Sequence, residues 1–233
     1  MNRFAIALLL AAGAACTQFA GAQSDAQVPK SRREAASAWS EAGLEKIKVK
    51  GLDVVYARPG ATLAGYRKVM LAPISVAFQR NWEKQPVPGS RIPISAKDSQ
   101  RIREQLSALV REEFIKELSD GGYQLADAAD EDVLDLNMSI IELRVAAPDI
   151  KTAGRVDTYA VSAGEMTLVA DLRDSVTGDI VMRIFDRGEA HENFRAQRIT
   201  RVENEAEARH LANGWAKAMR RELDLAKGIG VKH

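Results

Sequence analysis

Cysteine is almost absent. Cys16 is the only one in 233 residues, so no disulfide can form within the chain, and thiol chemistry is excluded everywhere but at that position. Histidine is nearly as scarce. His191, His210 and His233 show no pair at ligand spacing, and "HENF" at His191 is not the two-histidine helical pattern of a zinc protease, so no metal site is expected. Phosphate loops, dinucleotide fingerprints and nucleophile elbows are missing too, which leaves no positive ground for a cofactor or for an enzyme. Neither sign of charge dominates. The chain carries 33 basic and 32 acidic residues; the first 22 hold one arginine and no acid, so the remainder is balanced. A nucleic-acid binder would draw most of its affinity from excess positive charge, and that class is excluded.

The one long apolar run, Phe4 to Ala15, follows Arg3 and is too short to cross a bilayer. It reads as an export signal over residues 1–22. Two processing sites compete. Cleavage at Ala20-Gly21-Ala22 gives a soluble periplasmic chain starting at Gln23. Alternatively, Ala14-Ala15-Cys16 resembles a lipobox, and a lipid on Cys16 would anchor the protein to the outer membrane. The soluble form fits better, because Gly13 stands where a lipobox carries a large aliphatic residue. Residues 23–37 are small, polar and charged and read as a flexible linker. A single domain is expected over 38–228, with 229–233 as a tail.

The domain alternates strand and helix patterns. "LEKIKVKGLDVVYARPGA" predicts a short edge hairpin guarded by lysines. "YRKVMLAPISVAF" predicts a buried strand from Val69 to about Phe78, interrupted at Pro73. Ser95 to Asp98 forms a capping-box pattern before Ile102, Leu106, Leu109, Val110, Phe114 and Leu118, and Gly121-Gly122 stops that helix. "YQLA" predicts a brief strand. In "VLDLNMSIIELRV" the apolar phase shifts, predicting a bulge near Ile140 and Ile141. A last helix starts near Thr200 with Leu211, Trp215, Met219 and Leu223 down one side. The expected fold is α/β in the two-layer α+β sense: a mixed sheet of about five main strands with two helices on it, in the order strand-helix-strand-strand-hairpin-helix.

Four aspartates crowd "ADLRDSVTGDIVMRIFDRGEA": Asp171, Asp174, Asp179 and Asp186. Placing Val176-Thr177-Gly178 as a three-residue turn, with Gly178 left-handed, sets Ser175 opposite Asp179 and Leu172 opposite Met182. It also sets Asp171 opposite Arg183, Ala170 opposite Ile184 and Val169 opposite Phe185. Asp171 is then an ion-pair partner, while Asp174 and Asp179 belong to the turn. Asp186 alone stays open, and Asp186, Glu189 or His191 beside the hairpin would serve an unrecognised periplasmic hydrolase.

Two connections exceed the usual length, "QRNWEKQPVPGSRIPIS" and "AAPDIKTAGRVDTYAVSAG". If the strands before them are parallel, both leave the same end of the sheet. Arg80, Trp82, Arg91, Arg155 and Tyr159 would gather there, a mixture of aromatic and arginine suited to a contact surface.

At "VYARPGATLAGYRKVMLAPISV" and "DLRDSVTGDIV" the chain resembles the domain of unknown function 3313 family, bacterial exported proteins of which many are labelled lipoproteins. Tyr56, Pro59, Gly60, Tyr66, Val69 and Pro73 carry the first match, and Asp174, Ser175, Thr177 and Gly178 the second. The resemblance spans about Trp39 to Leu225. The element order is also similar to the amino-terminal domain of TolB and to transporter-auxiliary lipoproteins. Together these features predict a non-catalytic periplasmic binding or assembly module whose partner is an envelope protein or lipid. The alternatives are a lipoprotein accessory of an envelope transport system and the hydrolase. Contact with a membrane is expected only through a lipid on Cys16.

Overall fold

The computed structural model describes residues 32–84, 94–145, 163–189 and 201–228. The expected signal, the tail and residues 23–31 of the expected linker lie outside these. Residues 32–37, also expected in the linker, are helical instead. Helix α1 (Arg32–Glu41) buries Ala35 and Trp39. Its buried face offers one large apolar residue, Trp39, beside the small Ala35, too little to show as periodicity.

Among the described residues eight strands form one mixed sheet. They are β1 (Glu45–Ile47), β2 (Val54–Ala57), β3 (Lys68–Leu71), β4 (Ser75–Phe78), β5 (Gln124–Leu125), β6 (Val133–Val145), β7 (Ala163–Asp174) and β8 (Ile180–Glu189). The spatial order is β1-β2-β8-β7-β6-β3-β5, with β4 pairing β6 beyond the end of β3. Strand β3 pairs parallel with β5 and β6, and β4 is parallel to β6. The remaining pairs are antiparallel. The sheet therefore has three more strands than the five main ones expected: β1 and β2, the short hairpin at one edge, and β4, the second half of a strand cut at Pro73.

That cut is sealed by helix α2 (Ala96–Asp120). Proline cannot donate to a ladder, and the carbonyls on either side of it need partners. Arg111 donates to the Leu71 carbonyl at 2.9 Å, and the Ser107 hydroxyl to that of Ile74 at 2.9 Å. Ser95 caps the helix, its Oγ accepting from the Asp98 amide at 3.1 Å and donating to the Asp98 carboxylate at 2.5 Å. At the other end Gly122 takes φ +81°, which ends the helix where a side chain would be strained.

The main core lies between one sheet face and the helices α2 and α3 (Arg201–Ala226). From α2 come Ile102, Leu106, Phe114 and Leu118; from α3 come Trp215, Met219 and Leu223, with Ala208, Ala212 and Ala216 allowing close approach. Leu211 is only partly buried against it. On the other face a smaller cluster unites Ala35, Trp39 and Leu44 with Val54, Tyr56, Ile141, Val169 and Phe185.

The bulge in β6 falls just beyond its expected place. Register is regular through Ile141 and shifts before Arg144, and Glu142 takes φ +55°. The extra residue returns Leu143 and Val145 to the main core, while Ile141 faces the smaller cluster. A bulge is what lets one strand serve a changed apolar phase.

Candidate functional site

The β7–β8 hairpin holds the predicted register along its body: Leu172 faces Met182, Asp171 faces Arg183, Ala170 faces Ile184 and Val169 faces Phe185. Near the turn it departs. Arg173 pairs with Ile180, and Asp174 donates its amide to the Asp179 carbonyl at 3.0 Å. Asp179 therefore faces Asp174 rather than Ser175, because β8 carries one extra residue at Val181. Gly178 is left-handed at φ +74°, as the turn requires.

Each aspartate has a separate structural task. The Asp171 carboxylate pairs with Arg183 and Arg173, both at 2.8 Å. Asp174 accepts from the amides of Val176 at 3.0 Å and Thr177 at 2.8 Å, and from the Tyr66 hydroxyl at 3.0 Å. The Thr177 amide bond leads in holding its pKa below the ordinary aspartate value, since amide donors favour the charged form. Burial, followed by Asp174, pushes Tyr66 up to about 12. Next to it, Ser175 and the Asp130 backbone exchange two bonds, at 2.8 and 3.1 Å. The two sequence blocks thus meet, Tyr66 of the first against Asp174 of the second.

Asp186 is buried, with one carboxylate oxygen accepting from the Asp53 amide at 2.6 Å and the other from the Trp215 indole at 2.7 Å. Burial raises its pKa despite these donors. It ties β8 to the β1–β2 connection and to α3. The Glu189 side chain and His191 lie outside the described residues.

The opposite end of the sheet is built differently. Gln79 donates to the Leu143 carbonyl at 3.0 Å, so the exits of parallel β4 and β6 are side by side. Strand β7 begins there, Ala163 facing Val145, and β8 ends there, Glu189 facing Glu165. Strands β4, β6 and β8 therefore all finish at one end of the sheet, where β7 begins.

Trp82 lies in a 3₁₀ turn there (Trp82–Lys84). It is half-buried and stacks on Phe78, ring centroids 4.9 Å apart and planes 10° from parallel. The Arg103 guanidinium sits 4.9 Å from the Phe78 centroid and bonds Glu83 at 2.6 Å. Arg80 is exposed nearby in the chain. Arg91, Arg155 and Tyr159 lie outside the described residues. Sequence reading missed Phe78, Glu83 and Arg103 as members of this cluster; the pairing of Glu83 with Arg103, twenty residues on, follows only once α2 is laid alongside β4. The two non-glycine residues with positive φ among the described ones, Asn81 at +64° and Glu142 at +55°, both belong to this end. Among the described residues no three metal-ligating side chains gather, and no helix is long and apolar enough to cross a membrane.

The family of proteins of unknown function DUF3313 matches residues 37–219. This chain belongs to that family. In DUF3313 terms, the matched span takes in the Tyr66–Asp174 lock, the Asp186 tie and the Trp82 end. No curated protein matches the chain. Solved structures similar to it include a PelC dodecamer from Paraburkholderia phytofirmans, at 12% identity over 76% of this chain and 96% of that one, with a TM-score of 0.36. A minor lipoprotein from Acinetobacter baumannii is similar at 10% identity over 70% and 95%, with a TM-score of 0.31. A DUF330 protein from Xanthomonas campestris is similar at 10% over 72% and 93%, with a TM-score of 0.35.

Proposed function

We propose that this DUF3313 protein is an exported, non-catalytic module of the cell envelope that binds a partner through the Trp82 end of its sheet. One observation carries the reading. Both left-handed non-glycine backbones among the described residues, Asn81 and Glu142, lie at the end where β4, β6 and β8 finish, beside the Phe78–Trp82 stack. Such backbone conformations cost free energy and persist where surrounding structure over-determines them, which is commonly at binding or switch regions. Long connections on a rigid scaffold are the usual carriers of recognition.

Export rests on the basic, short apolar N-terminus. A photo-crosslinking residue in place of Trp82, activated in cells, is expected to trap an envelope protein or lipid, whereas the same residue in place of exposed Val176 at the opposite end is not. Recovery of uncrosslinked protein alone from both positions defeats the reading. Intact-mass measurement of the exported chain decides its attachment. A start at Gln23 gives a soluble periplasmic form, and a lipidated Cys16 gives an anchored one.

A further inference from the structure

The sheet ends in two edges of different character. Strand β1 is wholly exposed and carries Glu45 and Lys46, with Lys48 and Lys50 following. Charges of this kind keep an open edge from pairing with another chain. On the other side β5 covers only the start of β3, and β4 forms the edge beyond it. Strand β4 is Ser75-Val76-Ala77-Phe78, without a charge.

Its open hydrogen-bonding groups can be assigned. Gln79 turns its amide toward β6 to reach Leu143, and strand alternation turns those of Ser75 and Ala77 the same way. Val76 and Phe78 therefore point their amides and carbonyls outward. The Ile74 carbonyl also points outward, but Ser107 takes it up. The unpaired edge thus begins at Val76, and among the described residues no strand pairs with it.

We infer that β4 pairs antiparallel with β4 of a second copy of this chain, about a two-fold axis at Ala77. The sequence is self-complementary in that register. Val76 of each copy faces Phe78 of the other, so the outward amides and carbonyls meet as reciprocal hydrogen-bonded pairs. Val76 and Phe78, both half-buried, then form one apolar stripe on the helix face. Ala77 meets Ala77 on the open face, with no like charges opposed. The same operation on β1 would set Lys46 against Lys46, which disfavours it.

A single thiol tests the register. In a chain carrying Cys16→Ser, Ala77→Cys lies at a non-hydrogen-bonded antiparallel pair, where the Cα separation of about 4.5 Å is within disulfide reach. Ser75→Cys, two residues away on the same exposed face, faces residue 79 of the other copy. Air oxidation is expected to link Ala77→Cys into a dimer and leave Ser75→Cys monomeric. Sedimentation of the unsubstituted chain is expected to show a dimer, and Ala77→Lys to raise its dissociation constant about tenfold with an unchanged circular dichroism spectrum. A monomer throughout the sedimentation range, a dimer indifferent to Ala77→Lys, or equal linkage from both cysteines overturns the inference. So does a partner strand from a different protein. None of these outcomes depends on what the Trp82 position crosslinks.

Discussion

Two of the four clustered aspartates are expected to respond to pH in opposite directions. Asp174 has a lowered pKa, led by the Thr177 amide. Its stabilisation is present above the ordinary aspartate pKa and is lost as pH falls through the lowered value. Asp186 has a raised one, led by burial. Its stabilisation is complete below the ordinary pKa and declines as pH rises through the raised value. Urea unfolding of wild type and Asp186→Asn is therefore expected to show the larger difference at pH 4 than at pH 7, and Asp174→Asn the reverse. Asp186→Ala leaves the Trp215 indole and the Asp53 amide without an acceptor, and is expected to destabilise by about 1–3 kcal/mol for each group left unpaired. Tyr66→Phe removes one hydrogen bond from the turn and is expected to lose about 1 kcal/mol by the same assay. The roles of Asp171 and Asp174 were legible in the chain because cross-strand pairing and turn chemistry are local. The role of Asp186 was not, since its donors come from residues 133 positions before it and 29 after.

At the scale of elements, the contact between β8 and α3 passes over Gly188. A Cβ there would lie 3.1 Å from both Leu211 methyls and from Trp215 Cζ2. Gly188→Ala is expected to push α3 off the sheet and cost about 1–3 kcal/mol, read as a lower thermal midpoint. What the sequence conveyed about elements follows the same division. Helix α2 announced itself through period and cap, and β3–β4 through Pro73. The bulge in β6 showed as a phase change between Ile140 and Ile141, but periodicity cannot say which residue bears the left-handed turn, and Glu142 does. Helix α1 gave no signal, because "RREAASAWSE" has only Trp39 as a large apolar residue, and its order comes from tertiary contact. The candidate site was legible to the same degree. Trp82 and the shared exit of β4 and β6 followed from loop length and topology, whereas the Phe78 stack and the Arg103–Glu83 pair required the fold.

For the molecule as a whole, α1 acts as a strap across the second sheet face. Trp39 is buried there, edge-on to Tyr56 with ring centroids 5.6 Å apart, and the Arg183 guanidinium lies 5.8 Å from its ring. Trp39→Ala is expected to remove about 3–5 kcal/mol, a typical loss for deleting a buried tryptophan. Because the strap rests on a cluster of few residues, its first sign is expected to be proteolytic cutting within residues 32–41 while the main core stays resistant.

Strand β2 has its inner neighbour in β8, and the Asp53 amide finds its acceptor 133 residues later in Asp186. The chain therefore cannot complete its sheet in the order in which it is made. Until β8 arrives, β2 has β1 on one side and nothing on the other, and contacts of such long sequence separation form slowly. In the export proposed above, with the amino terminus threaded first, this sequence of events keeps β2 without its inner neighbour until nearly the whole chain has crossed.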